Sequence, residues 1–397
     1  MTSLDRSTAV GVLGAGAMGT GIAQVAAAAG HCVVVGDSSQ PAVDKAKASI
    51  AQSLGRDVEK GRRTAQAARE LEGRMEFVDV PEGDAGAFRD CGLVIEAISE
   101  DIDAKRRAFE ALEAAVAAGA VLATNTSSLS VAAIAAGRRA PGRVIGLHFF
   151  NPATVLPLVE VIGATTSDPD VVSRARALVD AWGKTTVLAS DTPGFIVNRV
   201  ARPFYGESLR QLEEGVADVA TIDWAMKEIG GFKMGPFELM DLIGNDVNYA
   251  VTKSVFEAFY CDPRYKPSVI QRRMVEAGRL GRKTGSGYYD YRNGVAPPAP
   301  KADRELGTRI VDRTVAMLIN EAAEAVFFRV ATRDDIDLAM TKGVNYPKGL
   351  LAWADELGVA TVVGRMALLH DEFGEDRYRV SSLLKRMARD GLRFYPT

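Results

Sequence analysis

The feature that most constrains this chain is a glycine turn near its start, Gly14-x-Gly16-x-x-Gly19, set between an apolar run from Thr8 to Leu13 and a helical run from Met18 to Ala29. The first glycine permits a tight turn, the second lets backbone approach a pyrophosphate, and the third allows the helix to pack closely on the strand. The N-terminus of that helix can meet phosphate charge with unpaired N–H groups. A second strand run, Cys32 to Val35, ends in Gly36-Asp37, 23 residues beyond Gly14. A carboxylate there accepts hydrogen bonds from ribose hydroxyls and repels a 2′-phosphate, so the pattern predicts NAD over NADP. FAD sites share the fingerprint, and the turn alone does not separate the two.

The following 150 residues alternate helical segments with short β-branched runs: Leu93 to Glu96, Val121 to Ala123, Val144 to Leu147, Leu158 to Ile162 and Thr186 to Leu188. Such spacing predicts βαβ units around a mostly parallel sheet. The basic segment from Lys45 to Arg69 is expected to form one extended helix or a helical pair. Around Asp191-Thr192-Pro193-Gly194 the alternation stops and the remainder is helical in pattern. Gly294 to Lys301 has the Pro/Ala composition of a linker.

The helical half carries an internal repeat. Shifted by 114 residues, Ile196-Val197-x-Arg199 falls on Ile310-Val311-x-Arg313, Glu207 on Glu321, Ile222-Asp223 on Ile336-Asp337, and Gly235, Asp241 and Gly244 on Gly349, Asp355 and Gly358. Without a gap, 13 of the 49 positions from 196 to 244 are identical, too many for two unrelated helical regions. The expected organisation is an α/β Rossmann-type NAD-binding domain at 1–190, a helical domain at 191–293, a linker at 294–305, and a second, degenerate helical copy at 306–397.

Composition narrows the setting. A net charge of -3 argues against a nucleic-acid surface. Cys32, Cys91 and Cys261 are far apart and form no metal-binding spacing; the first two fall in or beside strands and are expected to be buried free thiols of a reducing compartment. The first residues run straight into a strand without a secretory apolar stretch, and no apolar run reaches the roughly 18 residues of a membrane span. A soluble, cytoplasmic protein is expected.

Of three histidines, His31 precedes a strand and His370 lies far from the glycine turn; both are expected to be structural or surface residues. His148 instead follows the run Val144-Ile145-Gly146-Leu147, and ligands of such sheets gather at carboxyl strand ends. Its near-neutral titration suits reversible removal of a hydroxyl proton while hydride leaves carbon. Glu160, inside Leu158-Val159-Glu160-Val161, is costly to bury unless paired. Pairing with the other ring nitrogen of His148 would fix the tautomer and favour the imidazolium; an inward structural salt bridge is the alternative. In Asn125-Thr126-Ser127-Ser128, a serine hydroxyl could bind a substrate oxygen or cap the next helix.

Taken together, the glycine turn, Asn-Thr-Ser-Ser-Leu at 125–129, His-Phe-Phe-Asn-Pro at 148–152 with Leu-Val-Glu at 158–160, and Pro-Gly-Phe-Ile-Val-Asn-Arg at 193–199 resemble the L-3-hydroxyacyl-CoA dehydrogenases, from about residue 8 to residue 291. The resemblance implies NAD-dependent oxidation of a 3-hydroxyacyl-CoA to the 3-ketoacyl-CoA. It implies that His148 is the general base, Glu160 its orienting partner, Ser127 a ligand of the substrate's 3-oxygen, and Asn198 a pocket residue. It further implies NAD contacts at Glu100, Lys105, Asn151 and Lys283, besides Asp37 and the glycine turn, and CoA contacts at Ser53 and Lys60. The cluster Arg56, Lys60, Arg62 and Arg63 suits phosphate oxygens, or is simply a solvated helix face.

The second helical copy matches longer relatives, including those of aromatic-acid breakdown. There Asp312 replaces Asn198 and nothing equivalent to Gly281-Arg282-Lys283-Thr284-Gly285 is apparent, so the copy is expected to pack and shape the pocket and to occupy the surface through which shorter relatives dimerise. Monomer and homodimer both remain open, as do 3-hydroxybutyryl-CoA and 3-hydroxyadipyl-CoA as substrates. Arg202, Lys233 and Lys348 are candidate counter-charges for a distal carboxylate. The competing readings are a dehydrogenase of small free 3-hydroxy acids and a non-catalytic NAD-binding regulator.

Overall fold

The structure, a computed structural model, describes residues 4–396. The chain divides into two compact units, Met1–Thr192 and Pro193–Thr397.

The first unit is an eight-stranded sheet: β1 (Val10–Leu13), β2 (Val33–Asp37), β3 (Met75–Asp79), β4 (Leu93–Glu96), β5 (Val121–Thr124), β6 (Val144–Phe149), β7 (Leu158–Gly163) and β8 (Thr185–Ser190). Its helices are α1 (Ala17–Ala28), α2 (Gln40–Glu59), α3 (Ala65–Glu72), α4 (Ile102–Ala115), α5 (Val131–Ala135) and α6 (Pro169–Ala181). The spatial order is β3-β2-β1-β4-β5-β6-β7-β8. Strands β4 and β5 are buried at every position, as parallel strands covered on both faces must be. The chain works outward from β1 to β3, then returns to β4 on the other side of β1. That reversal opens the crevice where such sheets bind ligands. All neighbours are parallel except β6 and β7.

Two expectations need correction here. Edge strand β3 went unrecognised because Glu76 and Asp79 break its apolar pattern; an edge strand with one neighbour tolerates such charges. Cys32 is exposed, since side chains alternate along the approach to β2 and its neighbours His31 and Val33 take the inward positions. Cys91 is buried as expected, and burial followed by the nearby Asp90 and Glu76 carboxylates pushes its thiol up to about 12. His31 is structural: the Trp182 indole donates to its Nε2 at 2.8 Å, and Nδ1 lies 2.8 Å from the Thr8 carbonyl. The basic segment forms a helical pair, α2 and α3.

The second unit is helical: α7 (Val197–Val200), α8 (Arg202–Glu213), α9 (Val219–Glu228), α10 (Pro236–Ile243), α11 (Asn245–Ala258), α12 (Val269–Glu276), α13 (Arg304–Phe327), α14 (Arg333–Gly343), α15 (Leu350–Leu357), α16 (Val359–Phe373) and α17 (Ser382–Asp390). Pro203 lacks the N–H that would continue a helix, and the chain breaks between α7 and α8. Met317 stands at the equivalent place in the second copy, and α13 runs through without interruption. Among the described residues no helix is long and apolar enough to cross a membrane.

The two copies exchange charges reciprocally. Arg199 Nε donates to Glu321 Oε1 at 2.6 Å, and its counterpart Arg313 donates to Glu207 Oε1 at 2.7 Å. The Tyr265 hydroxyl donates to Glu321 at 2.5 Å, and that of Tyr378 to Glu207 at 2.6 Å. When residue i of one copy meets j of the other and j meets i in return, the copies are related as in a two-fold interface. Within each copy the repeated aspartates fasten the same elements. Asp223 accepts from the Phe237 and Glu238 amides, and Asp337 from those of Leu351 and Ala352. Asp241 accepts from the Tyr288 and Tyr289 amides, and Asp355 from those of Phe394 and Tyr395. The spacing from Tyr289 to Tyr395 is 106, eight less than 114, so the end of the first copy's return segment does have a shortened equivalent. A comparison at fixed spacing misses it.

Removing one member of a buried pair strands the other charge. Arg199→Met is therefore expected to lower unfolding free energy by about 3 kcal/mol. Arg309→Met, in the exposed pair with Glu305, should cost within about 0.5 kcal/mol. Denaturant titration of both variants checks the contrast.

Candidate active site

The glycine turn sits at the β1/β4 reversal. Gly14 adopts φ +109° and its amide donates to the Gly36 carbonyl at 2.7 Å. A Cβ at Gly19 would stand 1.8 Å from the Gly14 carbonyl oxygen, so glycine is required for the close helix–strand approach. At Gly16 a Cβ would meet no atom within 4 Å. That glycine faces open space, and it is also the N-cap of α1 with no side-chain cap on the first-turn amides. Both features fit a pyrophosphate laid against the turn. Asp37 Oδ2 accepts from the Ala15 amide at 2.8 Å and Oδ1 from the Ser39 amide at 3.0 Å, which holds the carboxylate at the carboxyl end of β2. A cavity of about 490 Å³ opens here, lined by Gly14, Gly16, Asp37, Val80, Ala97 and Arg107 among others. Part of its wall, the segment after β3, was hidden from sequence reasoning along with β3.

Register places His148 and Glu160. Strands β6 and β7 are antiparallel with His148 directly opposite Glu160, so both side chains leave the same face. His148 Nδ1 lies 2.6 Å from Glu160 Oε2; the histidine is 5% exposed and the glutamate 0%. The Phe150 ring packs 4.5 Å from the imidazole. The Asn125 side-chain oxygen accepts from the Phe149 amide at 2.8 Å and ties the end of β6 to the loop after β5.

That loop is held from beneath by a charge network whose inner members, Glu96 and Lys105, are buried and whose outer member, Glu100, reaches the surface. Lys105 Nζ, 1% exposed, donates to Glu96 Oε1 at 2.6 Å and lies 3.3 Å from Glu100 Oε2. Glu96 also accepts from the Thr124 hydroxyl at 2.7 Å. Glu100 Oε1 accepts from the Thr126 hydroxyl at 2.5 Å and from the Ser127 and Ser128 amides at 2.9 and 3.1 Å. Burial pushes the Glu100 carboxyl up, but Lys105 and these donors outweigh it and hold the group below the usual range. The alternative cap role is settled: Ser130, with Asp191 beside it, caps α5, whereas Ser127 and Ser128 lie against Glu100. Glu96, Asn125 and Asp191 were given no role of their own in the sequence reading; a lone glutamate ending the apolar strand Leu93–Glu96 was the available signal.

The other implied residues fall as follows. Ser53, Arg56 and Lys60 recur at spacings of three and four along α2 and its C-cap, on one face. Asn151 is exposed just beyond β6. Asn198 lies on α7, and Lys283 is paired with Asp246 at 2.6 Å; both belong to the second unit. Asp312, at the place equivalent to Asn198, forms a 2.8 Å ion pair with Arg365 instead.

Residues 9–192 match the family model for the NAD binding domain of 3-hydroxyacyl-CoA dehydrogenase, and residues 194–291 and 310–393 match that for its C-terminal domain. The chain is 39% identical to the 3-hydroxyadipyl-CoA dehydrogenase of Escherichia coli K12, over 96% of this chain and 97% of that one. It is 40% identical to a probable 3-hydroxybutyryl-CoA dehydrogenase of Deinococcus radiodurans, over 71% of this chain and 99% of that one. A crystal structure of 3-hydroxybutyryl-CoA dehydrogenase from Escherichia coli K12 superposes with a TM-score of 0.90 at 38% identity, covering 97% of this chain and 99% of that one. With a glycine turn that fits a pyrophosphate and a buried histidine–glutamate pair, the chain belongs to the 3-hydroxyacyl-CoA dehydrogenase family as an NAD-dependent enzyme acting on CoA thioesters.

Proposed function

We propose that His148 is the general base that takes the 3-hydroxyl proton of the acyl-CoA, with Glu160 holding the imidazole. The observation that carries this reading is the 2.6 Å contact of the two buried side chains across β6 and β7. With Glu160 accepting from Nδ1–H, the tautomer is fixed and Nε2 becomes the basic nitrogen. As the proton arrives, the adjacent carboxylate stabilises the imidazolium. Bound NAD supplies the hydride acceptor. The C3–H bond breaks with its electron pair, the O–H proton passes to His148, and C3–O becomes a carbonyl; the reverse direction runs through the same groups. Ser127 would bind the 3-oxygen, its loop positioned by Glu100, and Asn198 would complete the acyl pocket. Of the implied NAD contacts, Glu100 and Lys105 act here first on each other and on the serine loop. Asn151 and Lys283 stay assigned to NAD, and Ser53 with Lys60 to CoA, with the shared face on α2 supporting the CoA reading.

We further infer that the second helical copy takes the place of a partner subunit, because the reciprocal Arg199–Glu321 and Arg313–Glu207 pairs are what a two-fold dimer would make. Light scattering should return the mass of one chain; a dimer joined through the first copy would reject this.

His148→Gln should lower kcat on the order of 10³-fold while NAD affinity, read by fluorescence titration, stays within about twofold. Turnover near the wild-type rate would sink the assignment. Glu100 gives a pH prediction. Its folded titration lies below the unfolded one, so its contribution is fully present above the unfolded value of about 4.3 and lost as pH falls through the lower folded value. The Tm advantage of wild type over Glu100→Gln should therefore be largest near neutrality and shrink below about pH 4. A pH-independent difference would contradict it.

A further inference from the structure

Of the three candidate counter-charges, two are already accounted for. Lys348 is ion-paired with Glu356 and lies over the Trp353 ring. Lys233 is exposed and bonded to the Asn345 side chain at 3.2 Å. Arg202 differs. It is 6% exposed, and no carboxylate pairs with it among the described residues. Its Nε donates to the Asn198 carbonyl at 2.7 Å, its Nη1 to the Thr252 hydroxyl at 3.1 Å, and its guanidinium carbon lies 4.9 Å from the centre of the Tyr205 ring. These partners are neutral. They satisfy N–H groups but cancel no charge, and a desolvated guanidinium without an anion is among the costliest things a core can hold. Burial accordingly pulls Arg202 below its ordinary range.

An unsatisfied polar group lies nearby. The Tyr346 hydroxyl is buried with no hydrogen-bond partner, and the nearby Arg202 charge opposes the rise that burial imposes on the phenol. Its ring packs against Phe204 and Phe232, at 5.7 and 5.0 Å between centres. A buried hydroxyl without a hydrogen-bond partner, close to a buried cation whose partners are all neutral, is a combination suited to an anion. A carboxylate would answer both, since guanidinium binds it in bidentate fashion and the phenol adds a further donor.

The repeat shows that this arrangement is particular to one place. Arg202 corresponds to Ala316 and Tyr205 to Ile319, so the second copy has no such cation; conversely Tyr346 corresponds to Phe232, so its hydroxyl exists only in the second copy. Arg202 also lies one helical turn beyond Asn198, whose carbonyl it binds. We propose that Arg202 and Tyr346, with the Tyr205 ring as a wall, form a subsite for the distal carboxylate of a 3-hydroxy dicarboxylic acyl-CoA, the second helical copy supplying the tyrosine hydroxyl. The inference rests on the reading of Asn198 as an acyl-pocket residue. It gives the duplicated domain a part in substrate choice.

The test compares kcat/KM for 3-hydroxyadipyl-CoA with that for its distal methyl ester, which keeps the chain and removes the charge. Wild type should prefer the free acid on the order of 100-fold. Arg202→Met should bring the ratio near one, and Tyr346→Phe should lower it about tenfold. A wild-type ratio near one, or a ratio unmoved in both variants, overturns the proposal. The ester comparison changes no residue and Tyr346→Phe removes a single oxygen, so misfolding of Arg202→Met cannot decide the outcome. Failure of the general-base reading would show separately, as His148→Gln turning over both thioesters.

Discussion

A charge buried away from water is tolerable only with partners, and both units are arranged around that constraint. In the sheet, Glu160 is fully buried because His148 faces it across an antiparallel pair, and Glu96 because Lys105 and Thr124 reach it. In the helical unit, Glu207 and Glu321 sit in the interior because each receives an arginine and a tyrosine from the opposite copy. Each pairing also does positional work. The Glu96–Lys105–Glu100 chain runs from the strand beside the glycine turn to the serine loop, so the two share one scaffold that is buried at Glu96 and Lys105. Disturbing any member would move groups on both sides of it.

The same constraint explains what could be read in the sequence. The glycine turn, Asp37, and the identity of Glu160 as an expensive residue needing His148 were legible, because each is a local rule broken for a stated reason. The central strands were legible as apolar runs, with ends misjudged by a residue or two where the last position turns polar, as at Thr124 and Ser190. What stayed hidden depends on long-range partners. Edge strand β3 carries charges that only its single-neighbour position permits. Lys105 was assigned outward to a cofactor, and only the fold reveals two carboxylates enclosing it. Serine loops are ambiguous by nature, since a hydroxyl that caps a helix and one that binds an acid look alike until Glu100 and Asp191 are in place.

The duplication shows which of these pairings recur. The second copy keeps the carboxylates that fasten its own elements, Asp337 and Asp355, with their amide donors, and Glu321, which receives Arg199 of the first copy. It differs at two polar positions: Asn198 is answered by Asp312 in a half-exposed ion pair, and Arg202 by Ala316. Several polar residues retained in both copies are ones whose removal strands a buried charge, as with Arg199 and Arg313. Arg202, buried and without an anion among the described residues, is present in the first copy and has no counterpart in the second. The helix break at Pro203 is a further difference between the copies. It interrupts only the copy that bears Asn198 and Arg202, one on each side of the break, while α13 passes the equivalent place as continuous helix.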